Sequence, residues 1–195
     1  MTHTTHPHPQ RRAARTVAAV ALLAGSLLAP IGAQAQESYT GWLFTLQRMK
    51  EVRPVTLPVY AHECGECHLA YQPGLLPARS WDALLTAGAL REHFGTSAEL
   101  DAATLREVRD YALAYAADRS YRKRSRKIAA ATTTGPTPLR ITQLDSIAWT
   151  HRQIPAARIT GNPAVKSLSQ CDACHTQALD GVYDNDTVSI PQTGH

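Results

Sequence analysis

Two short segments of this 195-residue chain repeat the pattern Cys-x-x-Cys-His, at residues 64–68 and 171–175. The two thiols of such a segment can reach the two vinyl groups on one edge of a porphyrin, while the histidine that follows turns its imidazole to the iron. This spacing is typical of covalent haem c attachment. The sequence therefore predicts two haems c, bound through Cys64, Cys67, Cys171 and Cys174, with His68 and His175 as iron ligands.

Two simpler interpretations use only the cysteines. The four thiols could bind one zinc ion, or each pair could form a disulfide bond in an oxidising compartment. Neither explains why a histidine follows the second cysteine in both segments. The chain has four cysteines in total, and haem attachment uses all of them.

Each iron needs a sixth ligand or keeps an open face, and this choice separates electron transfer from ligand or substrate chemistry. After residue 35 the chain has one methionine, Met49, so methionine cannot serve both haems. Four further histidines are available: His62, His93, His151 and His195. His62 is too close to the first attachment segment to reach the far side of its haem, and His195 is the chain terminus, where disorder is common.

His93 and His151 are therefore the predicted sixth ligands. His93 follows His68 by 25 residues, enough for the chain to pass around the haem and return on its other face. His151 precedes His175 by 24 residues and can approach the second iron from the opposite side. We assign His93 to the first iron and His151 to the second, while crossed assignments remain open.

Two imidazoles on each iron predict low-spin haems of low potential, because thioether ligation raises the potential of ordinary cytochromes c. Irons that are capped on both sides exchange electrons but exclude small molecules. This favours an electron-transfer protein over an enzyme. The alternatives, a small dihaem enzyme acting on peroxide or sulfur compounds and a haem sensor, both need an open iron.

The first 35 residues have the pattern of a secretory signal, with arginines before an apolar run of 13 residues and a small-x-small cleavage site at Ala33–Ala35. That run is too short to span a bilayer, so we expect no membrane span after cleavage. Removing residues 1–35 takes away three of the 20 basic residues and none of the 16 acidic ones, which leaves a formal charge of +1. We expect a periplasmic protein of a Gram-negative bacterium that does not bind nucleic acid.

The rest of the chain indicates a mainly α fold, because apolar residues recur at intervals of three and four. The strongest helix follows Thr96 and Glu99, which have capping-box spacing, and runs to about Asp118. Ser80 is a predicted N-cap for an earlier helix that ends near Gly88, Asp145 or Ser146 is the predicted cap of a helix through His151, and Asn162-Pro163 is predicted to open another.

Residues 129–138, Ala-Ala-Ala-Thr-Thr-Thr-Gly-Pro-Thr-Pro, have the composition of a linker. We predict an N-terminal haem c domain over residues 36–128 and a C-terminal one over residues 139–195. With only two phenylalanines, each domain must use its porphyrin as much of its apolar core. The expected first pocket is Tyr71, Leu75, Leu76, Trp81, Leu84, Leu85 and Phe94, and the expected second pocket is Ile147, Trp149, Val165, Leu168 and Leu179.

Residues 119–127 contain six cations in nine positions. Such a run could dock an acidic partner or neutralise haem propionates. A solvated helix end is an equally good interpretation.

The chain resembles the soluble bacterial dihaem cytochromes c, often abbreviated DHC. The resemblance is carried by residues 63–68, 71–81 and 93–95, and it resumes at residues 140–142, Trp149, His151, the second attachment segment, Ala178, Gly181 and Ile190-Pro191. It covers most of the chain after the signal.

This resemblance implies an N-terminal domain similar to class I cytochromes c and a less regular C-terminal haem domain, with bis-histidine iron in both. It supports His93 and His151 as axial ligands. It also implies redox partners, namely a soluble oxygen-binding monohaem cytochrome and a membrane b-type cytochrome.

Overall fold

Short helices joined by turns make up the fold, and residues 1–2, 38–44 and 50–192 are described in the computed structural model. No β-strand occurs within these ranges, so the predicted mainly α class is confirmed. The predictions for the signal sequence, Met49 and His195 lie outside the described residues, except for residues 1–2. No helix in the described ranges is long and apolar enough to cross a membrane.

The α-helices of the described part are Tyr39–Leu43 (α1), Pro58–Glu63 (α2), Ala78–Leu84 (α3), Ala87–Arg91 (α4), Ala102–Ala114 (α5), Lys123–Ala131 (α6) and Asp145–His151 (α7). Short 3₁₀ helices lie at Pro73–Leu75, Ala117–Arg119, Ile141–Gln143, Ala156–Arg158, Cys171–Ala173, Ala178–Asp180 and Asn185–Thr187. The longer helices thus belong to the first half, and the second half is mostly turns.

The strongest predicted helix is present as α5, but its predicted cap is wrong. Asp101 is the N-cap, because its carboxylate accepts hydrogen bonds from the backbone N–H groups of Ala103 at 2.9 Å and Thr104 at 3.1 Å. Thr96 instead closes a turn, since its N–H donates to the carbonyl of His93. The helix ends at Ala114, four residues before the predicted end.

The predicted cap at Ser80 is also wrong. Helix α3 begins at Ala78 after Pro77, whose carbonyl accepts the N–H of Ser80, so Ser80 is a buried residue within the helix. Gly88 does not end this helix but lies inside α4, which is capped by the hydroxyl of Thr86.

In the second half, α7 is present as predicted, but Leu144 holds the N-cap position and Asp145 is the first helical residue. The helix predicted to open at Asn162-Pro163 is wrong. The side chain of Asn162 accepts the N–H of Ala164 at 3.0 Å, which closes a turn, and Lys166 then has a positive φ of 67°. An asparagine that bonds its own backbone two residues on favours a turn over a helix.

Three aromatic residues lie at the centre of the core. Tyr60 of α2 packs with its ring centre 5.1 Å from Tyr111 of α5 and 6.5 Å from Trp81 of α3. The indole N–H of Trp81 donates to the carbonyl of Pro73 at 2.8 Å, and the hydroxyl of Tyr60 donates to the carbonyl of Tyr71 at 2.8 Å. These bonds fix the segment that follows the first attachment motif.

The predicted linker begins inside a helix, because α6 continues to Ala131. The remainder is held by one guanidinium: Arg79 of α3 donates to the carbonyls of Thr132 at 2.7 Å and Gly135 at 3.2 Å. The described residues from Ser38 onward belong to one compact unit. The division into haem domains at residues 36–128 and 139–195 stays a prediction.

The six cations of residues 119–127 fall into an inward group of two and an exposed group of four. Arg122 is 2 % exposed, and Arg124 bonds the carboxylate of Glu51 at 2.8 Å. The other four are exposed and form what we call the basic face: Arg119, Lys123, Arg126 and Lys127.

Candidate haem sites

The first attachment segment opens on a cavity of about 630 Å³, a volume within the usual range for a small-molecule site. Its lining includes Cys64, Cys67 and His68 of this segment, and His93 as well. Cys64 ends α2, and its backbone N–H bonds the carbonyl of Tyr60, so the buried ring of Tyr60 anchors the start of the motif.

The imidazole of His68 is oriented by its own neighbour. Its Nδ1 donates to the carbonyl of Leu69 at 2.8 Å, which leaves Nε2 free to bind a metal. The ring of Tyr71 stacks on the imidazole with centres 4.7 Å apart. The carbonyl of Pro73, a few residues further on, accepts the indole N–H of Trp81 instead of a histidine.

His93 is presented by a tight turn. Phe94 and Gly95 both have positive φ, 54° and 95°, and the N–H of Thr96 donates to the carbonyl of His93 at 3.2 Å. Positive φ at both central positions is the mark of a type I′ turn, which is unusual with phenylalanine in it. The guanidinium of Arg140, from the second half, lies 3.7 Å from the centre of the Phe94 ring and covers the turn.

The second site is built from a helix end and a turn. His151 is the last residue of α7, and its Nδ1 donates to the carbonyl of Ile147 at 2.8 Å. His175 follows the 3₁₀ helix Cys171–Ala173 and pairs with Val188 in an isolated bridge. Nδ1 of His175 is buried without a hydrogen-bond partner among the described residues.

The structure brings the four predicted histidines together in two pairs. The ring centres of His68 and His93 are 6.4 Å apart, and those of His151 and His175 are 6.0 Å apart. Two metal–nitrogen bonds of about 2 Å, each followed by about 1 Å from nitrogen to ring centre, span about 6 Å. Both pairs therefore have the separation at which two imidazoles can bind opposite faces of one iron.

Burial favours the neutral form of His93 and His175. The pKa of His93 is lowered by burial, by His68 and by Arg140, and the pKa of His175 is lowered by burial, by His151 and by Arg124. A neutral imidazole has the lone pair that a metal requires.

None of the four cysteines forms a disulfide bond. Burial raises the pKa of Cys64 to about 12 and that of Cys171 to about 11. Within residues 38–44 and 50–192, no three His, Cys, Asp or Glu side chains form a group that could hold a metal ion.

The first cavity is lined by six of its seven expected pocket residues, Tyr71, Leu76, Trp81, Leu84, Leu85 and Phe94, whereas Leu75 packs in the core. The second half also contributes to the lining, through Leu139, Arg140, Ile141, Thr142 and Ser169. No spacing in the sequence indicates that contribution, because it depends on how the halves pack. In the second half, Trp149 and Leu179 are 64 % and 71 % exposed, and their contact with a haem stays a prediction.

A mainly helical chain with two Cys-x-x-Cys-His segments, each beside a histidine pair, is of the c-type cytochrome class. Residues 60–183 match the family model described as dihaem cytochrome c. The comparison with curated proteins gave no match.

Two solved structures are similar over most of their length. A diheme cytochrome c from Rhodobacter sphaeroides is 38 % identical, with 68 % of this chain and 100 % of that chain covered and a TM-score of 0.58. A diheme cytochrome type c from Shewanella baltica OS155 is 34 % identical, with 70 % and 94 % covered and a TM-score of 0.55. The chain belongs to the dihaem cytochrome c family, and it carries two covalently bound haems c.

Proposed function

We propose that this protein is a periplasmic electron carrier in which both irons have two histidine ligands. His68 and His93 bind the first iron, and His175 and His151 bind the second. Cys64 and Cys67 hold the first haem by thioether bonds, and Cys171 and Cys174 hold the second. Membership of the dihaem cytochrome c family supports a role in electron transfer by haem, and the assignment of the iron ligands is our own proposal.

The separation of the imidazole rings carries this proposal. The ring centres are 6.4 Å apart in the first histidine pair and 6.0 Å apart in the second, and each pair lies beside its own attachment segment. Each separation fits one iron between the two rings, so each of the four histidines serves a single haem. A crossed assignment would need His93 to lie beside His175, or His151 beside His68.

The haem supplies the reversible one-electron change of its iron, and the protein positions and shields it. The carbonyls of Leu69 and Ile147 hold His68 and His151 with Nε2 free. Leu76, Leu84 and Leu85 give the first cavity an apolar wall. Ligands held in place on both faces keep small molecules off the metal, so no turnover of peroxide or thiosulfate is expected.

Carbon monoxide binding to the reduced protein tests the proposal. Haems with two histidine ligands should leave the Soret band almost unchanged under saturating carbon monoxide. A large shift in either haem would show an open or easily opened site and would favour the enzyme or sensor alternative.

We propose that partners dock on the basic face, and that they are a membrane b-type cytochrome and a soluble monohaem protein. In the described part of the chain, no carboxylate lies within ion-pair distance of its four cations. Such charges accelerate association with an acidic partner, and salt weakens the effect.

The variant Lys123→Gln/Lys127→Gln should lower the rate of electron exchange with an acidic monohaem cytochrome severalfold at low ionic strength, and it should flatten the salt dependence. The control Arg106→Gln/Lys166→Gln removes the same charge from exposed positions elsewhere. Equal rates in the two variants would show that the basic face does not dock the partner.

A further inference from the structure

Four side chains from both halves of the chain form a cluster beside the second site. We call it the Tyr183 clamp, and it consists of Glu51, Gln72, Arg124 and Tyr183. Tyr183 is 8 % exposed and Gln72 is 1 % exposed, so the cluster is part of the protein interior.

Tyr183 is held at three points by groups from the first half. Its hydroxyl donates to the side-chain carbonyl of Gln72 at 2.6 Å, and its backbone N–H donates to the carboxylate of Glu51 at 2.9 Å. The guanidinium of Arg124 lies 5.4 Å from the centre of its ring and also donates to the same carboxylate oxygen of Glu51, at 2.8 Å. Gln72 is fixed in turn, because its amide donates to the carbonyl of Ala178.

The ring of Tyr183 packs against the imidazole of His175. The two ring centres are 5.3 Å apart and the planes are inclined by 60°, an edge-to-face contact. His68 and His151 each have a carbonyl that orients Nδ1, whereas Nδ1 of His175 has no partner among the described residues. The contact with Tyr183 is therefore the restraint on this ring that the structure provides in place of a hydrogen bond.

The charges of the clamp also act on His175. The guanidinium of Arg124 and the carboxylate of Glu51 both contact Tyr183, whose ring packs on the imidazole of His175, so both charges lie close to the second site. A positive charge near an iron disfavours the ferric state, which is the more positive one, and so raises the reduction potential; a negative charge does the opposite. Glu51 is buried and Arg124 is half-buried, so water screens these charges less than it screens charges on the surface.

We propose that the Tyr183 clamp orients the imidazole of His175 and sets the reduction potential of the second haem, with Tyr183 as the positioning residue. This inference rests on the proposed ligation of the second iron by His175 and His151. It means that residues of the first half tune the haem of the second half.

The charge part is tested by redox titration of the whole protein with both haems attached. Glu51→Gln should raise the potential of the second haem, because it leaves the charge of Arg124 unbalanced. Arg124→Gln should lower this potential, and Arg124→Lys should lower it less because the positive charge is kept. The double variant Glu51→Gln/Arg124→Gln should have a potential near the wild-type value. Lys123→Gln removes an exposed cation one residue from Arg124 and should have a much smaller effect.

The positioning part is tested by Tyr183→Phe, which keeps the ring but removes the bond to Gln72. Its electron paramagnetic resonance spectrum should show one haem signal moved and the other unchanged. Tyr111→Phe is the matched control, because it removes a buried tyrosine hydroxyl that bonds the N–H of Thr56 and touches no haem histidine.

The His151→Ala variant identifies which signal belongs to the second haem. The clamp is disproved if the wild-type protein shows two low-spin signals and neither the second potential nor the second signal responds to these variants. It is also disproved if Tyr111→Phe causes the same changes as Tyr183→Phe. A high-spin signal in the wild-type protein would instead contradict the proposed ligation itself, so the two failures are distinguishable.

Discussion

The backbone carbonyl of Val52 lies where a side chain on Gly181 would have to be placed. Gly181 has a positive φ of 73°, and its own carbonyl accepts the N–H of Val52 at 3.0 Å. Val52 is fully buried. This close approach joins the segment that precedes α2 to the turn that follows the second attachment motif.

Gly181→Ala should therefore destabilise the protein by more than about 1 kcal/mol, because it adds a collision with backbone to a strained φ. Thermal unfolding followed by far-ultraviolet circular dichroism measures the change. Gly88→Ala is the control, since Gly88 lies in helix α4 with nothing within 4 Å of the added carbon. That variant should be stabilised by about 0.5–1 kcal/mol, and a similar loss in both variants would contradict the interpretation.

The chemistry of the sites could be predicted from the sequence because it depends on residue type and spacing. His93 and His151 are predicted as ligands by eliminating the other donors, and the structure places their rings 6.4 and 6.0 Å from those of His68 and His175, while ligation itself stays a prediction. The contacts between the halves could not be predicted in this way. Gln72 meets Tyr183 across 111 positions, and neither residue belongs to a pattern with a recognisable period.

Helix boundaries were predicted less well, because several residues in this chain can cap a helix. Thr96 and Asp101 are both suitable N-caps by residue type. The N–H of Thr96 closes the turn that contains His93, and Asp101 is the residue that caps α5. Ser80 is a good cap by type, but Pro77 ends the preceding segment three residues earlier and the helix starts there.

Arg79→Ala should release the segment that joins the halves. The guanidinium of Arg79 bonds the carbonyls of Thr132 and Gly135, and no other side chain in the described ranges has a hydrogen bond to these two carbonyls. Losing about 1 kcal/mol of local stability raises the open population about fivefold. Cleavage by a nonspecific protease between residues 132 and 138, located by mass spectrometry, should accelerate by that factor. Arg106→Ala, an exposed arginine on α5, should leave the rate unchanged; an equal acceleration would show a general loss of stability.

Asp101→Ala should lower the thermal midpoint at neutral pH, because α5 loses its N-cap. The pKa of Asp101 is lowered by hydrogen bonds from the Thr104 hydroxyl and from the N–H groups of Thr104 and Ala103. A lowered pKa stabilises the fold above the ordinary Asp value of 3.8, and the contribution is lost as the pH falls through the lowered pKa. The difference in thermal midpoint between the wild type and Asp101→Ala should thus be largest at pH 6 and should decrease below about pH 4. Asp110→Ala, on the same helix away from its N-terminus, should not reproduce the loss, and a pH-independent difference would contradict this assignment.

A variant with one haem can test which histidine binds which iron. A variant with Cys171→Ser and Cys174→Ser should carry only the first haem. In that background His93→Ala should open the iron to carbon monoxide, whereas His151→Ala should not. If His151→Ala opened the first haem instead, the ligand assignments would be crossed.

Low-temperature electron paramagnetic resonance of the fully oxidised protein tests the bis-histidine assignment most directly. The rings of His68 and His93 are inclined by 33°, and those of His151 and His175 by 63°. Low-spin haems give a rhombic signal when the two imidazoles are nearly parallel and a more axial one as they approach perpendicular. We predict two low-spin signals, the first haem more rhombic than the second. A high-spin ferric signal from either haem would contradict the assignment.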